Sequence, residues 1–198
     1  MHTPILPSLS EVLKKSTSCE HRKTENIPIM QDVFGNHFSL KNYQTLLKRM
    51  LSLYLPMERK MSAFLINPSL SYSYLPKSPL LQADLQNISN HPIHLTLTES
   101  DTPNLRSHED FLGILYVLEG STLGGSVIIK RLEQHIDVQK AATFFFPYRD
   151  NTQKKWAETR SFIDDCGHTL DLNHDFVCNA AIATFQSFRG ALSDETII

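Results

Sequence analysis

Residues 112–128 read LGILYVLEGSTLGGSVI, and the placement of glycine in that run decides how the chain is read. A glycine inside a helix costs about 1 kcal/mol relative to alanine, so Gly120, Gly124 and Gly125, crowded into six residues, must be offset by something. On a helix, Gly113, Gly120 and Gly124 recur at seven and four and share one face. A bare face lets a neighbour approach the backbone and lets the helix bend. That neighbour is either a second helix or a flat ligand lying against exposed backbone. Ser121 and Thr122 add hydroxyls where a polar or water-filled pocket would want them. The same letters also parse as strand, glycine loop and helix, a phosphate-binding turn. Their spacing is GxxxGG, which matches neither the dinucleotide nor the P-loop pattern, and no alternation of strands and helices surrounds it.

Outward from this run, the chain votes for helix. Ser8 followed by Glu11 is a capping box, and Leu9, Val12 and Leu13 begin an apolar stripe, so a first helix runs from Ser8 to about Asn26. Ile27 precedes Pro28, which pushes it out of the helical region. Leu40, Tyr43, Leu46, Leu47, Met50, Leu51 and Tyr54 predict a second helix over 39–64, with Pro56 expected to kink or break it. Residues 67–79 (NPSLSYSYLPKSP) are loop by composition, residues 80–88 a short helix, and loop continues through His108. Residues 109–134, 151–165 and 175–192 complete the set. The reading is one all-α domain over residues 1–198, a multi-helix bundle.

Composition bounds the function. With 198 residues, 41% hydrophobic and 20% charged, the chain can bury a core without staples. A net charge of −2 excludes the clustered basic excess of a dedicated nucleic-acid binder. The longest apolar run, Phe111 to Leu118, falls short of the ~20 residues of a membrane helix, and MHTPILPSLSEVLKK lacks the pattern of a signal peptide. A cytoplasmic protein without membrane or nucleic-acid partners is expected. Three cysteines, Cys19, Cys166 and Cys178, form no CxxC and read as buried structural thiols.

On the first helix, Leu9, Leu13, Thr17, His21 and Glu25 form a ridge at steps of four. The apolar stripe fades into Thr17 and His21 where a pure core helix would continue with leucine. Glu25, one turn beyond His21, can accept a hydrogen bond from one ring nitrogen, fixing the tautomer and leaving the other free for a metal. Lys14, two turns before His21, can meet an anionic substituent of a ligand. The plainer reading of KKSTSCEHRKTE is a polar helix surface. Together, a histidine on one helix and a glycine-bared helix opposite suit an axially ligated planar macrocycle with a gas molecule on its open face.

These residues resemble the heme oxygenase family, in particular the bacterial group often associated with bacteriophytochromes. LKKSTSCEHRKTE is similar to the family's proximal helix, LGILYVLEGSTLGGSVI to its distal helix, and FFFPYRDNTQKKW and AAIATFQSF to its C-terminal third. The resemblance implies heme held between the first helix and the kinked glycine-rich helix. It makes His21 the iron ligand and Glu25 its partner, with Lys14 and either Lys130 or Arg131 near the propionates. Thr17 shares the ridge, and Tyr116 packs beside the heme. Gly120, Ser121 and Gly124 form the catalytic distal segment, with Gly125 beside them.

Two departures stand out. Animal members carry an acidic residue where this chain has Ser121, so proton delivery here falls to hydroxyls, backbone and water. Where many bacterial relatives read Tyr-Gly…Gly…Trp, this chain has Tyr148, Arg149, Gln153 and Trp156, losing both glycines and putting the local turn in doubt.

The implied reaction takes heme b as substrate and cofactor, with O2 bound on the ring's open face and bent toward one meso carbon. It yields biliverdin, carbon monoxide and free iron. Electrons come from an external ferredoxin or flavoprotein reductase, and a bacteriophytochrome is a candidate acceptor for the biliverdin. Two alternatives share the fold: a heme-binding carrier or sensor without turnover, and a thiaminase-type enzyme, which needs a pocket cysteine nucleophile. His91 and His94 form an HxxH without further ligands. His168 and His174 read as loop surface histidines, and Trp156 and Phe144 to Phe146 as core.

Overall fold

The computed structural model describes residues 7–35, 38–66, 70–89 and 102–197, so His91 and His94 lie outside the described residues. It is all-α. The longer helices are α1 (Leu9–Glu25), α2 (Pro28–Phe34), α3 (Leu40–Leu65), α4 (Ser78–Ile88), α5 (His108–Gly120) and α6 (Gly125–Leu132). A single-turn α7 (Val138–Ala141) follows, then α8 (Thr152–Thr169) and α9 (His174–Ser193). A tight 3-10 turn, Ser121–Gly124, joins α5 to α6. No strand occurs among the described residues, which disposes of the phosphate-loop parse.

Local chemistry sets the ends of α1. The Ser8 side chain accepts from the Glu11 amide while Glu11 reaches back to the Ser8 amide, and Asn26 closes the helix. Ser107 and Asp110 build a second such box at the start of α5. Three expectations fail. Pro56 does not break α3, which runs unbroken from Leu40 to Leu65. The proline removes only one donor, while Leu51, Leu53, Tyr54 and Met57 around it are buried, so packing keeps the helix continuous through it. Helices α2 and α7 were not expected, being too short to show a period. His168 and His174 stand on helices, in the last turn of α8 and the first residue of α9, both exposed.

Helix α9 is the axis on which α5, α1 and α3 pack. Gly113 permits the tightest crossing, since a Cβ there would lie 2.6 Å from the Val177 carbonyl and 2.7 Å from the Ala181 amide nitrogen. Along the axis, Tyr54 packs edge-on to Phe188 at 5.1 Å from Phe144 and 5.6 Å from Phe188 itself, while its hydroxyl meets Ser121 at 3.0 Å. On the other flank His21 meets Phe185, and Glu20 pairs with Arg189. Helices α1, α5 and α9 therefore run side by side in one direction, which brings His21 level with the end of α5. The stretch His108–Leu132 is long and apolar enough to span a membrane by length and composition, against the expectation from the Phe111–Leu118 run alone. Phe111 to Glu119 are all buried, so the first half of the stretch lies in the core of the bundle, while α6 beyond it is largely exposed.

Candidate functional site

The expected site residues fall in two groups on neighbouring elements, the outer half of α1 and the glycine step that ends α5. Thr17 is buried and donates to the Leu13 carbonyl at 2.7 Å, and its hydroxyl stands beside the Tyr116 phenol, which burial pushes up. One turn further on, His21 remains 54% exposed and Glu25 62%, with His21 Nδ1 3.4 Å from Glu25 Oε2. The second ring nitrogen, Nε2, has no partner among the described residues. The ring is braced from behind by Phe185, edge to face at 5.7 Å. Lys14 is exposed on the same helix.

The second group is the glycine step at the end of α5. The expected common face of Gly113, Gly120 and Gly124 is divided in the structure. Gly113 serves the α9 crossing, and Gly120 looks toward Trp156, whose ring would be 3.4 Å from a Cβ there. Gly124 is exposed with nothing within 4 Å of a Cβ. Gly125 points inward instead, where a Cβ would lie 1.7 Å from the Phe145 carbonyl oxygen. The step packs this closely on the Phe145 carbonyl only because Gly125 carries no side chain. Trp156, expected in the core, is half-buried and packs at 5.4 Å against Tyr116, so the two rings flank the step.

Hydroxyls at the step differ in availability. Ser121 is exposed, donates to the Leu118 carbonyl at 2.8 Å and lies 3.0 Å from the Tyr54 hydroxyl. With Ser121's proton so placed, Tyr54 is the donor to Ser121. Thr122 is buried and its proton is committed to the Glu119 carbonyl at 2.7 Å, so it offers no hydrogen to a ligand. The two basic candidates also part. Arg131 donates to the Phe34 carbonyl, tying α6 to α2, whereas Lys130 is exposed on α6.

Behind the step lies a cluster that sequence reasoning missed. Lys77 and Glu119 are each 1% exposed, with Nζ 2.8 Å from Oε1. The Tyr148 hydroxyl donates to the same oxygen at 2.9 Å, and Lys77 Nζ sits 4.0 Å above the Tyr74 ring. Burial pushes the Lys77 ammonium down from its ordinary value, and Glu119 opposes that. Glu58 caps α4, accepting from the amides of Lys77 at 2.6 Å and Ser78 at 3.0 Å. The signal was available in principle: Glu119 ends an apolar run whose helix is buried, and a buried carboxylate requires a partner.

A family model described as heme oxygenase matches residues 7–194. The chain belongs to the heme oxygenase family. A heme oxygenase of Xanthomonas campestris pv. campestris (strain 8004) is 25% identical over 168 residues, spanning 84% of this chain and 98% of the relative. The same architecture is found in the heme oxygenase of Leptospira interrogans, with a TM-score of 0.72 at 19% identity over 94% of this chain and 99% of that one. It recurs in heme oxygenase-1 of the cyanobacterium Synechocystis sp. PCC6803, solved in complex with heme, with a TM-score of 0.73 at 17% identity over 94% and 91% of the two chains. As a heme oxygenase, the chain is an oxidoreductase.

The donor set fits heme. A flat ring needs one wall with an unengaged nitrogen and another without side chains, which His21 Nε2 and the open face of Gly124 provide. The competing cysteine chemistry does not fit. Cys19, expected to be buried, is exposed on the surface of α1, whereas Cys166 and Cys178 are buried as expected, and burial pushes the Cys166 thiol up to about 11, the wrong direction for a nucleophile.

Proposed function

We propose that the chain cleaves heme oxidatively to biliverdin, carbon monoxide and free iron in the cleft between α1 and the glycine step. The observation that carries this reading is the free Nε2 of an exposed His21 level with a backbone wall bare at Gly124. Bound heme supplies both the iron that activates O2 and the ring that is cut. His21 holds the iron, and Glu25, accepting from Nδ1, fixes the tautomer and ring orientation. Phe185 limits the tilt of the imidazole. Lys14 and Lys130 meet the propionates at the rim of the cleft, while Arg131 acts from the α2–α6 junction.

On the opposite wall, the absence of a side chain at Gly124 lets the backbone approach the ring and leaves room for a small molecule, while Gly120 makes room for the Trp156 ring beside it. Proton donation falls to Ser121, which is exposed and can turn its hydrogen from the Leu118 carbonyl to the open side while the Tyr54 phenol donates to its oxygen from behind. Burial raises that phenol well above its ordinary value, so it donates a hydrogen bond without ionising. Such weak donors would supply hydrogen bonds to a small molecule at the open face without the strong acid that a distal histidine would offer. Electrons come from a separate ferredoxin or flavoprotein reductase, since three scattered cysteines supply no cluster site. A bacteriophytochrome is the acceptor suggested by the sequence resemblance.

Hemin titration followed by absorbance, on wild type and His21→Ala, tests the reading. The expected result is a one-to-one Soret band that is lost or shifted in the variant and that decays to a biliverdin spectrum on reduction in air. A stable band without turnover would make this a heme carrier or sensor, and no band would remove heme from the account.

A further inference from the structure

We propose that Lys77 and Glu119 form a positioning pair for the glycine step, holding it in one conformation over the cleft. The inference rests on the reading of that cleft as the heme site. Glu119 immediately precedes Gly120, the residue at which α5 stops and the 3-10 turn begins. Its carboxylate is anchored from two separate parts of the chain, by Lys77 at the α3–α4 junction and by Tyr148 before α8, at 2.8 Å and 2.9 Å. Lys77 Nζ lies 3.1 Å from the Tyr148 hydroxyl, closing a triangle of three groups.

The pair is poorly built for stability. Glu119 Oε2 is buried without a hydrogen-bond partner, although the Tyr72 phenol, bonded to Thr159 at 2.7 Å, borders the carboxylate. A buried ion pair with an unsatisfied oxygen is commonly no better than well-packed apolar side chains of equal volume. What it supplies is direction: an ammonium, a phenol and a carboxylate meet in one arrangement, whereas apolar substitutes can slide. The loop that delivers Tyr148 carries a further sign of constraint. Arg149 takes φ 49°, a backbone region ordinarily left to glycine. The turn that a glycine would make freely is kept here with an arginine, and its outcome is to hold Tyr148 on Glu119.

The test is the double variant Lys77→Met/Glu119→Leu, which removes both charges together, with Tyr148→Phe as the milder change should the double variant fail to fold. Amide hydrogen exchange on the protein without heme is read over residues 118–125 and, as control, over α9. The expected result is exchange about tenfold faster at the step with α9 and the thermal midpoint little changed. In Tyr148→Phe the increase is smaller and in the same place. On the hemin-loaded, CO-bound protein, the C–O stretching band is expected to broaden or split in the variants, reporting more than one conformation of the step. Exchange at the step indistinguishable from wild type, or faster exchange spread equally over α9, would overturn the proposal. A wild type that binds no hemin would instead refute the heme site, leaving the exchange result to stand on its own.

Discussion

The two walls of the cleft are held in opposite ways. On α1, the groups that would touch a ligand are side chains, and they stand in water: His21 and Glu25 are both more than half exposed, with Phe185 behind the imidazole and the neighbouring Glu20 paired with Arg189 of α9. On the glycine step the surface is mostly backbone with the Ser121 hydroxyl beside it, and that backbone is held from behind by the Phe145 carbonyl, the Lys77–Glu119 pair and Tyr148. The first wall can change a contact residue at little cost to folding. In the second, contact and scaffold are the same backbone, so almost any change is felt by both.

Gly125→Ala against Gly124→Ala breaks the comparison most sharply. A Cβ at 125 would stand 1.7 Å from a carbonyl oxygen that Asp84 holds in place through the Thr143 and Phe144 amides at 2.9 Å each. We expect Gly125→Ala to lose more than about 4 kcal/mol or not to fold. A Cβ at 124 meets nothing, and its backbone is ordinary right-handed helical, φ −73° and ψ −12°. Gly124→Ala is expected to gain about 0.4–1 kcal/mol in denaturant unfolding yet to weaken hemin binding about tenfold, or ~1.4 kcal/mol. If the two variants unfold alike, the division of labour between the neighbouring glycines is wrong.

Next in size is Lys77→Met alone. Removing one partner leaves Glu119 buried and uncompensated, which costs about 3–5 kcal/mol, against near-neutrality for the double replacement. Chemical denaturation of the single and double variants side by side measures the difference. A single variant as stable as wild type would mean that water reaches the carboxylate. The same operation on the other wall, His21→Ala, is expected to change stability by less than about 0.5 kcal/mol, because that side chain is exposed.

This contrast also explains what the sequence could and could not disclose. Groups on α1 are legible because they lie within one helix: the Ser8–Glu11 box, the ridge to His21 and the step to Glu25 are all local spacings. The glycine cluster is legible as an anomaly of composition, but not the separate fate of each glycine, which depends on whether α9, Phe145 or open space lies opposite. Lys77 was unreadable for a related reason. It sits among prolines, serines and tyrosines that look like surface loop, and only the fold brings it to Glu119, 42 residues away. Pro56 misled in the other direction, since local rules break a helix that the core on both sides keeps whole.

Arg149→Gly probes the distal scaffold more gently. A left-handed non-glycine residue costs about 1–2 kcal/mol, and glycine's greater unfolded-state freedom takes back about 0.5–1 kcal/mol. A net gain of about 0.5–1 kcal/mol is expected, with the Tyr148–Glu119 bond retained. A loss would show that the Arg149 side chain itself holds the turn.

The smallest effect belongs to the α1 wall and is a matter of pH. Glu20 bonds Lys23 at 2.7 Å and Arg189 on α9, and these, Lys23 first, hold its carboxyl below the ordinary value. Because the folded state favours the carboxylate, the contribution is complete above the usual glutamate pKa of about 4.3. It is lost as pH falls through the lower folded value. Denaturant midpoints of wild type and Glu20→Gln should therefore separate above about pH 5 and merge in stronger acid, with the gap shrinking in high salt. A gap that persisted at pH 2.5 and in 1 M salt would mean that Glu20 joins α1 to α9 by packing or neutral hydrogen bonds. The proximal wall would then be fastened, like the distal one, by contacts that do not depend on exposed charge.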